Sequence, residues 1–324
     1  MENILLIRLK AIGDVIFTLP AVGVLREHFP RAKITFLVSK ENVALLAGFR
    51  EVSEVIALDR AALRSGNPAK MAREFFGLLR RLRAGKFSRV VDFQGFGETA
   101  WMARITGAPD RWGSVYSTGR SWAYTRGLVR DDKLHPADWN LRLLAGCGLD
   151  SQTVRNEFLL PSDALAAARK FYLENKLDPG RPSMVVQPLT STAQKNWPLE
   201  NFLAVARHWR ERGVQVIFVG GPADGAQLES VRAEKFCVAT TLPLLVSAGL
   251  AQLATLLLGG DTGLGHLAVA QGRRVVMLMM HKNSGACVPY QHPDWAVVPE
   301  KSGNIRDITV ESVLGATGRV LPNC

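Results

Sequence analysis

Short apolar runs alternate with amphipathic stretches along the first half of the chain. Asn3–Arg8 (NILLIR), Lys33–Val38 (KITFLV), Val52–Leu58 and Arg89–Asp92 (RVVD) are brief and rich in apolar and β-branched residues. That is the pattern of strands buried on both faces. Between them, residues 18–29 carry apolar positions at helical spacing, with Pro20 in a first turn, where its missing N–H is no loss. Met71–Arg83 predicts an amphipathic helix whose basic side includes the RRLR run. Strands alternating with helices predict parallel βαβ units.

The pattern restarts in the second half. Asp163–Asn175 predicts a helix, LDPGRPS a linker-like break, and Ser183–Gln187 a strand. Pro198–Arg212 predicts a helix, Val214–Val219 a strand, Gly263–Gln271 a helix and Arg274–Met279 a late strand. The expected fold class is α/β, with two Rossmann-like, doubly wound domains, 1–165 and 166–324, facing a central cleft. A length of 324 residues fits two domains of ordinary size. Ligands of such sheets bind beyond the carboxyl ends of the strands, so the chemistry is expected just after them.

Composition narrows the class. Hydrophobic residues make up 47% and charged residues 21%, enough for two buried cores in a soluble chain. No apolar stretch is long enough to span a bilayer, and the MENILLIRLKAIGD start reads as a first strand, not a signal peptide. Cys147, Cys237, Cys287 and Cys324 are scattered without a CxxC, as expected for reduced thiols in the cytoplasm. The net charge of +11 is uneven: residues 1–160 hold 24 Lys+Arg against 16 Asp+Glu, the remainder 16 against 13. The first half should therefore meet the more anionic partner: nucleic acid, an anionic membrane surface or a phosphorylated glycolipid.

Four loops carry candidate chemistry. The first strand runs into Leu9-Lys10-Ala11-Ile12-Gly13-Asp14, where Gly13 permits a tight turn. Asp14 then either caps a helix or serves as a general base for a hydroxyl nucleophile. Asp92-Phe93-Gln94-Gly95 is either a turn or a site for a hydroxyl-rich ligand. In the second half, Gln187–Pro198 offers Thr190, Ser191 and Lys195, either as a charged surface loop or around a phosphate. It is not a Walker A loop. The fourth loop, Gly259–Ala268, sets glycines before an apolar helix whose first-turn N–H groups suit a pyrophosphate. Thr262 can add a hydroxyl there and His266 lies one turn in, while Asp261 is expected to orient the loop. Gly263–Ala268 also fits G-x-G-x-x-A, but no acid occurs from 264 to 293 to hold a ribose, which disfavours a nicotinamide enzyme. Asp224, after Gly220-Gly221, either accepts from ribose hydroxyls or caps a helix. His281, Cys287 and His292 lack the spacing of a zinc site, and no nucleophile elbow is present.

Taken together these loops resemble glycosyltransferase family 9, the heptosyltransferase family. The resemblance covers most of the chain: IRLKAIGDVIFTLPAV (7–22), DFQG with ARITGAPDRWG (92–113), HPADWNLRLLAGCGL (135–149), KNWP (195–198), GGPAD (220–224) and DTGLGHLAVA (261–270). The tail segments HPDWAVV and IRDITVESVL also fit. Two segments depart from the pattern. LAQLATLLLGGDTG is several residues short, and MMHKNSGACVPY lacks a GPT-containing loop.

The resemblance implies a GT-B fold with the acceptor in the first domain and the nucleotide sugar in the second. It implies an inverting, metal-independent transfer from ADP-heptose, with no cofactor, to a lipopolysaccharide inner-core acceptor. It places the protein in the cytoplasm, peripheral at the inner face of the inner membrane by electrostatic contact, with no nucleic-acid partner. Asp14 matches the family's base. Thr190, Ser191, Lys195, Asp224, Asp261, Thr262, Gly263 and His266 match donor-binding positions. Gly13, Gln94, Arg60, Arg64, Arg120 and Arg126 are the acceptor candidates, each of the arginines being otherwise a solvated surface residue. The resemblance also admits another sugar or acceptor, or a non-catalytic nucleotide or glycan sensor.

Overall fold

A computed structural model describes residues 2–116, 118–301 and 303–321, so Cys324 lies outside the described residues. The contacts divide the chain between Glu157 and Phe158. This is earlier than the expected boundary at 165/166. The helix Ser162–Glu174 belongs to the second unit because it packs on the helix Leu244–Leu253. Gly249 permits the close approach: a Cβ there would lie 2.7 Å from the Ala168 methyl.

In the first unit, six parallel strands form one sheet in the order β3-β2-β1-β4-β5-β6. They are β1 (Asn3–Ile7), β2 (Lys33–Ser39), β3 (Glu54–Leu58), β4 (Arg89–Asp92), β5 (Asp110–Val115) and β6 (Arg126–Val129). Leu5, Ile7, Leu37, Leu58, Val90 and Val115 pack with Leu78, Leu82 and Met102 of the covering helices. The helix Pro68–Ala84 starts where Asn67 accepts from the amides of Ala69 and Lys70, with Pro68 in the first turn.

The second unit repeats the plan in the order β12-β11-β10-β7-β8-β9. Its strands are β7 (Ser183–Gln187), β8 (Gln215–Val219), β9 (Cys237–Ala239), β10 (Leu256–Gly260), β11 (Val275–Leu278) and β12 (Ala296–Val297). Two buried indoles anchor the last helix, Val310–Gly318. Trp197 donates to the Ile308 carbonyl at 2.8 Å and Trp209 to Thr317 Oγ1 at 2.9 Å. Both sheets therefore have the 3-2-1-4-5-6 order of dinucleotide-binding folds, in which the strand order reverses at one point. That point lies between β1 and β4 in the first unit and between β7 and β10 in the second. The four loops with candidate chemistry are those that follow these four strands.

Candidate active site

In the first unit, Asp14 lies in a short helix, Ile12–Ile16, immediately beyond β1. Its Oδ2 accepts from the Ala11 amide at 3.0 Å and pairs with the Arg8 guanidinium at 2.7 Å. Asp14 thus does what a capping residue does, yet its side chain keeps 33% exposure against 10% for Arg8. One oxygen is held and the carboxylate is still reachable. Arg8 also donates to the Phe93 carbonyl at 3.0 Å, which ties the base candidate to the loop after β4. Nothing in the sequence singled out Arg8, because its role depends on β4 lying beside β1.

The DFQG loop is the support for this site. Asp92 is buried, and its Oδ1 accepts from the amides of Gln94 at 2.9 Å and Gly95 at 3.0 Å. Tyr124 donates its hydroxyl to Asp92 Oδ2 at 2.7 Å. Burial pushes the Asp92 carboxyl above its ordinary value, against the donors that favour its charge. Gly95 has φ +70° and its missing Cβ would overlap the Ser114 carbonyl, so only glycine fits there. Gln94, expected at the acceptor, is fully buried instead. Its Oε1 accepts from the Leu9 amide at 2.8 Å and the Lys10 amide at 3.4 Å, so this carbonyl braces the Asp14 loop.

The remaining acceptor candidates are dispersed over the unit. Gly13 is half-buried in the Asp14 helix and accepts from the Phe17 amide. Arg60 pairs with Glu98 at 3.0 Å. Arg64 is exposed. Arg120 donates to the Gly95 carbonyl at 3.3 Å, beside the DFQG turn. Arg126 bonds the Cys147 carbonyl at 2.9 Å and lies over Trp112.

In the second unit, Lys195, Asp261 and His266 come together. Lys195 Nζ lies 2.7 Å from Asp261 Oδ2, and His266 Nε2 lies 2.9 Å from Oδ1. Burial would raise the Asp261 carboxyl, but His266 and Lys195 outweigh it and bring it down to about 2. The same pairing raises the Lys195 ammonium, which keeps its charge. Thr262 caps the helix Gly263–Ala270 by accepting from the Gly265 amide at 3.2 Å, and donates its hydroxyl to Gln187 Oε1 at 2.6 Å. Its hydroxyl proton is therefore used within the protein. The first-turn amides of Gly263 and Leu264 have no carbonyl to bond within the helix, leaving the positive end of its dipole beside Lys195 and Asp261.

Glycine allows this loop crossing. A Cβ on Gly260 would meet Thr190 Cγ2 at 2.7 Å, and one on Gly259 the Gln187 carbonyl at 2.8 Å. Thr190 closes a turn by donating to the Thr192 carbonyl at 2.9 Å, while Asn196 accepts from its amide. Ser191 is exposed at the loop tip. Asp224 caps its own short helix, accepting from the Gly221 amide at 2.6 Å. A cavity of about 210 Å³ adjoins Lys195 and Asp261. Leu278, Met279, Met280, Ala286 and Ile305 form its apolar wall. Met279, Met280 and Ala286 belong to the divergent MMHKNSGACVPY segment, whereas Leu278 and Ile305 were not singled out in the sequence, because apolar lining has no local signature.

The Asp261 network has a pH signature. A carboxylate with a depressed folded value contributes stability that is complete above its unfolded value near 3.8 and lost as pH falls through about 2. The shift corresponds to about 2 kcal/mol at most, since Lys195 is half exposed and water screens that contact. Urea unfolding of the wild type from pH 5 to pH 2 should therefore lose up to about 2 kcal/mol more than Asp261→Asn over the same range. Parallel curves would show that the network holds nothing.

Comparison with known proteins places this architecture. The sequence pattern of glycosyltransferase family 9 (heptosyltransferase) matches residues 75–312. The lipopolysaccharide core heptosyltransferase OpsX of Haemophilus influenzae is 24% identical over 307 residues, 90% of this chain and 83% of its own. Lipopolysaccharide heptosyltransferase 1 of Pseudomonas aeruginosa is 28% identical over 302 residues, 87% of this chain and 80% of its own. Among solved structures, the glycosyl transferase family 9 protein of Veillonella parvula aligns with a TM-score of 0.88 at 23% identity, covering 98% of this chain and 97% of that one. Escherichia coli heptosyltransferase WaaC with ADP aligns at 0.80 and 20% identity, covering 98% and 99%. These structures share the fold, which is of the GT-B type. The two doubly wound sheets, the loops at their points of reversal and the matched sequence pattern together show that the chain belongs to glycosyltransferase family 9, the heptosyltransferase family.

Proposed function

We propose that this protein transfers a heptose from ADP-heptose to the inner core of a lipopolysaccharide precursor, with inversion and without a metal ion. The observation that carries the reading is Asp14. It is a carboxylate fixed by Arg8 and the Ala11 amide beyond β1 and still a third exposed. In this role Asp14 accepts the proton of the acceptor hydroxyl as that oxygen attacks the anomeric carbon from the side opposite ADP. The leaving diphosphate gains negative charge as the glycosidic bond breaks. Lys195 and the free amides at the start of the Gly263–Ala270 helix meet that charge, and the apolar wall around Met279 and Ile305 suits a nucleoside. Asp261 and His266 hold Lys195 in place. Among the described residues there is no group of three or more His, Cys, Asp or Glu that could hold a metal ion.

The basic surplus of residues 1–160 favours an anionic acceptor and peripheral contact with the inner face of the inner membrane, in the cytoplasm. Among the described residues no helix is long and apolar enough to cross a membrane. Incubation with ADP-heptose and a lipopolysaccharide precursor should give a product heavier by one heptose in mass spectrometry. A second reading, another sugar on the same fold, draws on the shortened segment before Asp261 and the divergent 279–290 loop, part of which lines the cavity. Turnover only with a non-heptose nucleotide sugar would favour it.

A further inference from the structure

The helix Pro68–Ala84 carries one apolar stripe, Met71, Phe75, Leu78 and Leu82, at the i, i+4, i+7, i+11 spacing of a single face. Only half of it is covered. Leu78 and Leu82 are buried in the core of the first unit, whereas Met71 and Phe75 are 39% and 40% exposed. Next to them Phe76 is 64% exposed and sets its ring edge-on to Phe75, with centroids 5.5 Å apart. From the helix Gly97–Ile105, Trp101 joins the group, 5.5 Å from Phe75 and 36% exposed. Four large apolar side chains thus form one surface cluster, more than the single exposed residues any protein tolerates.

Charge identifies what covers it. Lys70, Arg73, Arg80 and Arg83 on the same helix are exposed, and its one acid, Glu74, is turned inward to Arg81 and the Asp59 amide. Aromatic side chains flanked by basic ones on a helix are the composition of a segment that lies in the headgroup layer of an anionic bilayer. One acceptor candidate is linked to the group: Arg60 pairs with Glu98, on the helix that bears Trp101.

We infer that the amino-terminal half of the Pro68–Ala84 helix, with Trp101, inserts Met71, Phe75 and Phe76 into the headgroup layer of an anionic phospholipid bilayer. Contact with the membrane is then partly apolar and not electrostatic alone. This deepens the reading of a membrane-borne lipid acceptor, and it is tested by binding, separately from turnover.

The experiment is sedimentation of the full chain with phosphatidylcholine vesicles containing none or one third phosphatidylglycerol, at low and at 0.5 M salt. Wild type should bind the anionic vesicles and retain a measurable fraction at high salt, since screening removes only the charge contribution. Phe75→Ser/Phe76→Ser should bind about tenfold more weakly at low salt and not at all at high salt. Circular dichroism of the variant should match wild type, because both rings are exposed. Brominated lipid should quench wild type more than Trp101→Phe. With a deacylated, soluble acceptor the double variant should turn over as wild type does, which separates loss of membrane contact from loss of the reaction. Equal vesicle binding by wild type and variant would overturn the inference. So would sedimentation velocity showing that wild type self-associates and the variant does not, since a second copy would then cover the face.

Discussion

Asp14→Asn should lower kcat by about 10²- to 10⁴-fold, the range a positioned general base supplies, while the donor KM changes little. Asparagine is the informative choice. It keeps the shape of the side chain and an oxygen to accept from the Ala11 amide, the contact that Asp14 makes at 3.0 Å. It cannot take a proton from a sugar hydroxyl. Both substitutions remove the charge that pairs with Arg8, but alanine would also leave that guanidinium, 10% exposed, with no oxygen at position 14 to accept from it, and would mix loss of chemistry with loss of structure. Steady-state rates with saturating donor, beside a thermal unfolding curve, separate the two. Turnover within about threefold of wild type, with the fold intact, would mean that Asp14 only caps its helix.

The second large effect concerns the diphosphate. Lys195→Met should lower kcat/KM for the donor by about 10²- to 10³-fold, as removal of one preorganised stabiliser of developing charge does. Part of the loss should already be visible in the ground state as weaker ADP binding by calorimetry. The geometry shows why this lysine can serve: its side chain is 44% exposed while Asp261, which holds it, is 19% exposed. The ammonium is thus tethered at one side and open to a ligand at the other. Methionine retains the length of the stem and its packing but not the charge. Unchanged ADP affinity and unchanged kcat/KM together would remove Lys195 from the donor site.

The alternation of apolar runs with helical spacing was enough to predict two doubly wound halves, because a strand covered on both faces has to be apolar almost throughout. Arg89–Asp92 and Ser183–Gln187 occur as strands with the expected bounds. The strand Leu256–Gly260 was not separable from the sequence: it follows the helix Leu244–Leu253 in one apolar tract, where periodicity carries no signal. Loop chemistry was legible for the same local reason that glycines and carboxylates after strands are conspicuous. What those residues touch was not. Gln94 and Asp92 look like ligand-binding groups in the chain and prove to be the frame that holds Leu9, Lys10 and Gly95. Arg8 ties the Asp14 loop to the Phe93 carbonyl, and Gln187 becomes the partner of Thr262, only when β4 lies beside β1 and β10 beside β7. The sequence by itself determined the fold class and the positions of the loops. Tertiary structure alone decided which polar groups of different loops face one another, since pairings such as Gln94 with Leu9, Arg8 with Phe93 and Gln187 with Thr262 join residues tens of positions apart.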